Sequence, residues 1–303
     1  MSRLDKYRGI FPAFYACYDD NGDVSPERTR LFTQYLIDKG VKGLYVCGSS
    51  GECIYQNVEE RKIILENVME VAKGKISIIA HIAAPSTRDS IELAKHAEKC
   101  GVDAVAAIPP IYFRLPEYAI EKYWNDMIDA TDLDFVIYNI PGTTGYALTL
   151  DLFKRMIKNK KVIGIKNSSM PTQDIQIFKA AGGEDFIVFN GPDEQFVAGR
   201  AIGADGGIGG TYAVMPELFI KADELIRSGD FVTAKEIQYE INKVIFAMLS
   251  CHGNLYSVAK EILRIQGIDI GEARLPLPRF TEDDLPTIHQ CVEIIEKAKK
   301  KFC

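Results

Sequence analysis

The chain has 303 residues, of which 47% are hydrophobic and 26% charged, a composition that supports a large core and excludes disorder as the main state. A net charge of −6 and an isoelectric point near 5.4 argue against nucleic-acid or anionic-membrane binding, which would require a basic patch. Seven cysteines at irregular spacings, with no C-x-x-C pair, disfavour zinc and thioredoxin-type readings and fit a reducing cytosol.

The first residues, MSRLDKYRG, carry no apolar signal core, and no stretch of about 18 apolar residues offers a membrane span. A run from Gly9 to Tyr18 predicts the first strand. Ser25-Pro26 then opens a helix that stops by Gly40, with proline where its missing N–H costs nothing and glycine where a helix ends. Residues 43–47 form a second strand, followed by a helix over 58–73 with Ile63, Ile64, Val68 and Val71 on one side. A third strand over 76–82 leads to a helix begun by Ser86 and Asp89, spaced as in a capping box. Further strands are expected at 104–108, 135–139, 161–166, 186–190 and 205–208, each followed by a helical segment.

Runs such as FVIYN, VIGIK and FIVFN are apolar throughout, the pattern of parallel strands buried on both faces. Eight such units within about 220 residues predict an α/β protein with a closed (β/α)8 TIM barrel. An open doubly wound sheet is the rival, but the first strand ends in CYDDNGD and lacks the Gly-x-Gly-x-x-Gly turn. The barrel is assigned to residues 1–228. Helical patterns near 231–251, 255–266 and 282–300 make a C-terminal three-helix extension, 229–303, packed on it.

In a (β/α)8 barrel the active site lies at the carboxyl ends of the strands. Lys166 ends the sixth strand after Val162-Ile163-Gly164-Ile165. A lysine desolvated there has a lowered pKa, and its neutral amine attacks a ketone to give an imine, the electron sink for breaking the adjacent carbon–carbon bond. Taken alone, such a lysine more often snorkels or pairs with a carboxylate. Tyr138, ending the neighbouring fifth strand, offers a hydroxyl for proton transfer, although a core tyrosine is the plainer explanation of its position. Ser49 and Ser50, in a glycine-bounded loop, suit a carboxylate, or form a simple tight turn. Asp193 and Glu194 either accept hydrogen bonds from a polyol or complement a helix dipole. The glycine-rich Gly206–Gly210 stretch could take a phosphate, but has no nearby lysine or arginine. No H-x-x-x-H pair or Gly-x-Ser-x-Gly elbow occurs, so metal and serine hydrolases are disfavoured.

GLYVCGSSGE, YNIP, GIKNSS, FNGPDE and GADGGIGGTY together resemble the N-acetylneuraminate lyase and dihydrodipicolinate synthase family, over nearly the whole chain. The resemblance implies a Schiff-base aldolase without metal or cofactor, acting on small molecules, usually as a tetramer built as a dimer of dimers. Lys166 would be the Schiff-base lysine and Tyr138 the proton-shuttling tyrosine. Tyr112 would be the tyrosine that reaches a neighbouring subunit's site. Ser49 and Ser50 would hold the keto-acid carboxylate, while Thr143, Ser168, Gly191, Asp193, Glu194, Ile208 and Gly210 would line the rest of the substrate site. Thr143 replaces the arginine that grips the aldehyde carboxylate in dihydrodipicolinate synthases, and losing a bidentate clamp is a large change. The lyase branch fits better, although Ser168 stands where it usually has threonine and Gly210 where it usually has serine. A 2-keto-3-deoxy sugar-acid aldolase, a phosphate-binding barrel enzyme and a non-catalytic keto-acid sensor remain the alternatives.

Overall fold

The computed structural model describes residues 2–303. Its strands are β1 Ile10–Pro12, β2 Gly43–Val46, β3 Ser77–His81, β4 Ala104–Ala107, β5 Asp134–Asn139, β6 Val162–Asn167, β7 Ile187–Asn190 and β8 Gly206–Gly209. They run parallel in the order β1-β8-β7-β6-β5-β4-β3-β2, and a bridge between Ala13 and Tyr45 brings β1 back to β2. Around this cylinder lie α1 Pro26–Asp38, α2 Val58–Ala72, α3 Thr87–Cys100, α4 Glu117–Asp129, α5 Pro141–Thr144, α6 Leu150–Met156, α7 Gln173–Gly182, α8 Phe196–Ala201 and α9 Pro216–Ser228. The chain continues through α10 Phe231–Leu249, α11 Leu255–Ile265 and α12 Leu285–Phe302. The architecture is the TIM barrel expected from the sequence. Among the described residues no helix is long and apolar enough to cross a membrane.

The continuous apolar runs serve two cores. Alternate strand residues, among them Tyr45, Ile79, Ala106, Val136, Tyr138 and Ile187, fill the lumen. Their neighbours, such as Leu44, Ile78, Val105, Ile137 and Val188, pack outward under the helices. Parallel strands covered on both faces have no solvent side to mark with polar residues. The helix starts follow local chemistry: Ser25 accepts from the Arg28 N–H and Ser86 from the Asp89 N–H, each satisfying a first-turn donor.

Two expectations shift. Only Ile10–Pro12 of the 9–18 run is strand. Ala13 and Phe14 still donate to Gly209 of β8 and Tyr45 of β2, but by Tyr18 the chain has left the cylinder, and the Tyr18 N–H donates to Ile270 of the C-terminal segment instead of to a strand neighbour. Ile63 faces solvent, while Arg61, Asn67 and Met69 take buried positions on α2. Arg61 is buried because its guanidinium donates to the Ala83 and His81 carbonyls at 2.7 and 2.6 Å.

The segment after α9 is tied to the loop after β2 by a charge pair. The Lys260 ammonium on α11 sits 2.8 Å from Glu52, with the two side chains 2% and 0% exposed. Lys260 also donates to the Glu272 carbonyl at 3.0 Å, and Glu52 accepts from the Arg274 N–H at 2.8 Å. A buried pair with its remaining bonding capacity filled is tolerated, but removing one partner strands the other charge. Lys260→Met should therefore cost about 3 to 5 kcal/mol of unfolding free energy, measured by urea denaturation. Glu52→Gln combined with Lys260→Met should recover part of that loss. A single variant as stable as the parent would show that the pair does not hold the segment in place.

Candidate active site

Adjacent strands place the two expected catalytic groups side by side, with Tyr138 of β5 paired in register with Lys166 of β6. Lys166 is 5% exposed. Its ammonium lies over two aromatic faces, 4.1 Å from the Tyr138 ring centroid and 4.5 Å from that of Tyr45. Burial drives its pKa down to about 7, and the opposing pull of Asp193 and Cys53 is smaller. The amine is thus substantially neutral near neutral pH, as a nucleophile requires.

Burial pushes the Tyr138 hydroxyl up to about 12, while polar contact with the Ser49 and Ser168 hydroxyls pulls it back. Tyr138 is therefore protonated at neutral pH and suited to relaying a proton rather than acting as a free phenolate. Beneath it lies His81, whose Nδ1 faces the Cys47 carbonyl at 3.0 Å and whose Nε2 accepts from the Ile108 N–H at 3.4 Å. A carbonyl partner requires the proton on Nδ1, and burial holds the ring neutral.

Ser49, Ser50 and Gly51 form one 3-10 turn after β2. Cys47 and Glu52 on either side have positive φ, 60° and 58°, an uncommon conformation for side-chain-bearing residues that fixes the turn's path. The Gly51 and Glu52 amides are spent closing the turn, so fewer donors are free than the sequence suggests. The Ser50 hydroxyl donates to the Tyr256 hydroxyl of α11 at 3.1 Å.

Asp193 follows β7 and is buried. One carboxylate oxygen accepts from both the Thr211 N–H and the Thr211 hydroxyl at 2.6 Å, and the other has no partner. Burial raises its pKa to about 6 against the pull of Thr211. Two side chains of α10 brace this turn from behind: Gln238 donates to the Asp193 carbonyl at 3.1 Å and Asn242 to the Glu194 carbonyl at 3.0 Å. Glu194 is half-buried.

The structure gives the glycines and the outer residues distinct places. A side chain at Gly191 would overlap the Ser168 hydroxyl and the Asn167 carbonyl, so this glycine makes room for Ser168. At Gly210 a Cβ would stand 3.4 Å from the Ser50 hydroxyl and 3.5 Å from that of Tyr256. Ile208 is wholly buried in the lumen core. Thr143 on α5 and Tyr112 line a mouth cavity of about 1190 Å³, with Ser49, Cys53, Arg61 and Tyr256; Lys166 and Tyr138 are not among its lining residues. Tyr112 is 93% exposed with φ 77°. The ends of β5 and β6 are locked by a polar chain in which Asn139 donates to Asn167, Asn167 to Ser169 and Ser169 to Asp174, at 2.7, 2.8 and 2.6 Å.

The sequence pattern of the dihydrodipicolinate synthetase family matches residues 6–295. The chain belongs to that family. It is accordingly an enzyme, a carbon–carbon lyase of the class I, Schiff-base aldolase type. It is 58% identical over 304 aligned positions to the N-acetylneuraminate lyase of Mediterraneibacter gnavus, covering 100% of this chain and 96% of that protein. It is 32% identical to an N-acetylneuraminate lyase of Clostridium perfringens, covering 97% and 98%. A solved Ruminococcus gnavus sialic acid aldolase with its catalytic lysine mutated superposes with a TM-score of 0.98 at 58% identity, covering 100% of both chains. The N-acetylneuraminate lyase of Fusobacterium nucleatum gives 0.88 at 29% identity, covering 98% and 99%.

Sequence reasoning missed Tyr45, His81, Tyr256, Gln238 and Asn242. Tyr45 and His81 are inward positions of strands already recognised, and a period-of-two count would have found them. The three residues of α10 and α11 reach the site only through tertiary packing.

Two expectations follow from this geometry. The initial rate of imine formation with pyruvate, read by borohydride trapping, should increase between about pH 6 and about pH 8 and then level off, a unit either side of an amine pKa of about 7. A rise continuing toward the ordinary lysine range would mean that the amine is not desolvated. Gly191→Ala should displace Ser168 and lower kcat/KM by up to about 100-fold, the effect of misplacing a group by about 1 Å, and should also lower the melting temperature, because the added methyl meets the Asn167 backbone carbonyl. Unaltered kinetics would show that the Ser168 position is not critical.

Proposed function

We propose that the chain is an N-acetylneuraminate lyase, cleaving the open-chain 2-keto sugar acid to pyruvate and N-acetylmannosamine. The observation that carries the chemistry is the desolvated amine of Lys166 beside the Tyr138 hydroxyl. The 58% identity to an N-acetylneuraminate lyase carries the substrate. The neutral Lys166 amine adds to the C2 ketone, one proton is taken up from solvent, water departs with the carbonyl oxygen, and the nitrogen is left as a protonated imine. Ser49 and Ser50 hold the substrate carboxylate. The C4 hydroxyl gives its proton to the Tyr138 oxygen as the Tyr138 proton passes to that carboxylate, a relay suited to a tyrosine that stays protonated at neutral pH. The C3–C4 bond breaks, its electrons flow to the imine nitrogen, and the aldehyde leaves. Protonation of the enamine at C3 and hydrolysis then release pyruvate and the free lysine. No step requires a metal or cofactor.

Asp193, Glu194, Thr143 and the Gly191 backbone face the sugar chain. Tyr112 belongs to the same scheme as the residue that completes a neighbouring subunit's site in a homotetramer; its exposed ring and positive φ favour a partner that holds it. A reducing cytosol suits the seven free cysteines. Gly210 favours a second reading, a 2-keto-3-deoxy sugar-acid aldolase, because it leaves no side-chain hydroxyl at that point of the site. The Tyr256 hydroxyl stands beside the gap and supports the first reading.

Pyruvate release should be fast from N-acetylneuraminate and slow from 2-keto-3-deoxygluconate in one coupled assay. Lys166→Ala should abolish both release and borohydride trapping. Release only from the second substrate would move the enzyme to the sugar-acid branch, and normal turnover by the alanine variant would sink the Schiff-base chemistry.

A further inference from the structure

Tyr45 has no part in the scheme above, yet it touches both halves of the site. It lies on β2 and is fully buried. Its ring meets the Tyr138 ring edge-on, with centroids 5.7 Å apart, and the His81 ring is tilted 6.1 Å away. The Lys166 ammonium stands 4.5 Å above its centroid. A side chain at Gly48 would come within 2.5 Å of the Tyr45 ring, so the residue that opens the Ser49–Ser50 turn is kept bare to admit that ring. The Tyr45 hydroxyl is buried and has no hydrogen-bond partner. Burying an unpaired hydroxyl is unfavourable, so the ring, not the hydroxyl, is what holds the residue in this place.

We infer that Tyr45 is a positioning residue whose ring face holds the Lys166 nitrogen whenever that nitrogen is positive, above all in the protonated imine. The assignment rests on the Schiff-base reading of Lys166. The electrons of an aromatic face attract a cation, most strongly where water is excluded. Condensation of the neutral amine with a ketone and a proton creates a charge that was absent before, and the Tyr45 and Tyr138 faces, 4.5 and 4.1 Å from the nitrogen, are placed to receive it. When the free enzyme already carries an ammonium, condensation merely replaces one cation by another over the same ring.

That difference gives the ring a pH signature. Above the amine's pKa, weakening the ring disfavours the imine relative to the free enzyme; below it, the two effects cancel. The titratable and charged groups around the amine are Asp193, Cys53, Tyr138, His81 and Arg61. Burial keeps Cys53 and Tyr138 protonated and His81 neutral at neutral pH. Asp193 titrates near 6, but it does so equally in variants compared at one pH.

The test replaces Tyr45 by phenylalanine and by its 4-fluoro and 3,4,5-trifluoro analogues in the full-length enzyme. Fluorine drains the ring face of electrons while nearly keeping its shape, so the fold is not at issue. The readout is the pyruvate concentration needed for half-maximal imine, trapped by borohydride and counted by intact mass, at about pH 6 and about pH 9. Phenylalanine should behave within about threefold of tyrosine. At the higher pH the trifluoro ring should weaken imine formation by about tenfold relative to phenylalanine, within the range of a desolvated cation–ring attraction. At the lower pH the change should be less than about threefold, and the monofluoro ring should fall between. A flat series, or equal losses at both pH values, would overturn the assignment in favour of simple packing. A large loss with phenylalanine itself would overturn it in favour of the hydroxyl. If the parent enzyme traps no pyruvate at either pH, the Schiff-base reading fails, an outcome distinct from all of these.

Discussion

Desolvation of one amine is the constraint around which the barrel mouth is arranged. A lysine at the end of a buried strand has its cation stripped of water, and without compensation its pKa falls. Here the compensation is partial: two ring faces lie within 5 Å, and the Asp193 carboxylate, which also acts on the amine, has one of its oxygens engaged with Thr211. A full ion pair would restore the charge and remove the neutral amine. An entirely apolar pocket would have no means of accommodating a positive nitrogen. The rings lie between these extremes, attracting a cation without fixing a proton.

Around that amine the polar groups are held by elements far away in the chain. The β5 and β6 ends are fixed by the Asn139–Asn167–Ser169–Asp174 chain, the serine turn by Tyr256, and the Asp193–Glu194 turn by Gln238 and Asn242. Catalytic geometry of this kind depends on a surrounding layer that removes rotamer freedom from the groups that touch substrate. Much of that layer comes from α10 and α11, so the helices after the barrel belong to the site as much as the strands do.

What the sequence could disclose follows from the range of the interactions. Strand runs, helix caps and the adjacency of Tyr138 and Lys166 are local or follow from barrel order, and they were legible. Lys166 itself became a strong candidate only beside the motifs that surround it, because a lone strand-end lysine is usually solvated. Glu52 was visible as a letter in a motif, but its partner Lys260 lies 208 residues away, and no periodicity links them. A further reason for glycine at 191 was hidden for the same reason: a side chain there would overlap Ser168, just after β6, which only the packed structure reveals. The early end of β1 is of this kind too: the residues remain apolar and buried, yet by Tyr18 the backbone partner is Ile270 of the C-terminal segment.

The barrel closes unevenly. Between β1 and β2 there is one bridge, Ala13 to Tyr45, whereas β5 and β6 share five paired positions. The C-terminal segment crosses above that thin join: Ile270 holds Tyr18 after β1, while Lys260 and Arg274 hold Glu52 after β2. It works as a clasp on an incompletely stitched cylinder. Without that clasp the β1–β2 join beside Tyr45 would rest on the strand edges alone, with the Lys42 N–H on Ile10 and the Phe14 N–H on Tyr45, and the charge of Glu52 would be left buried without its partner.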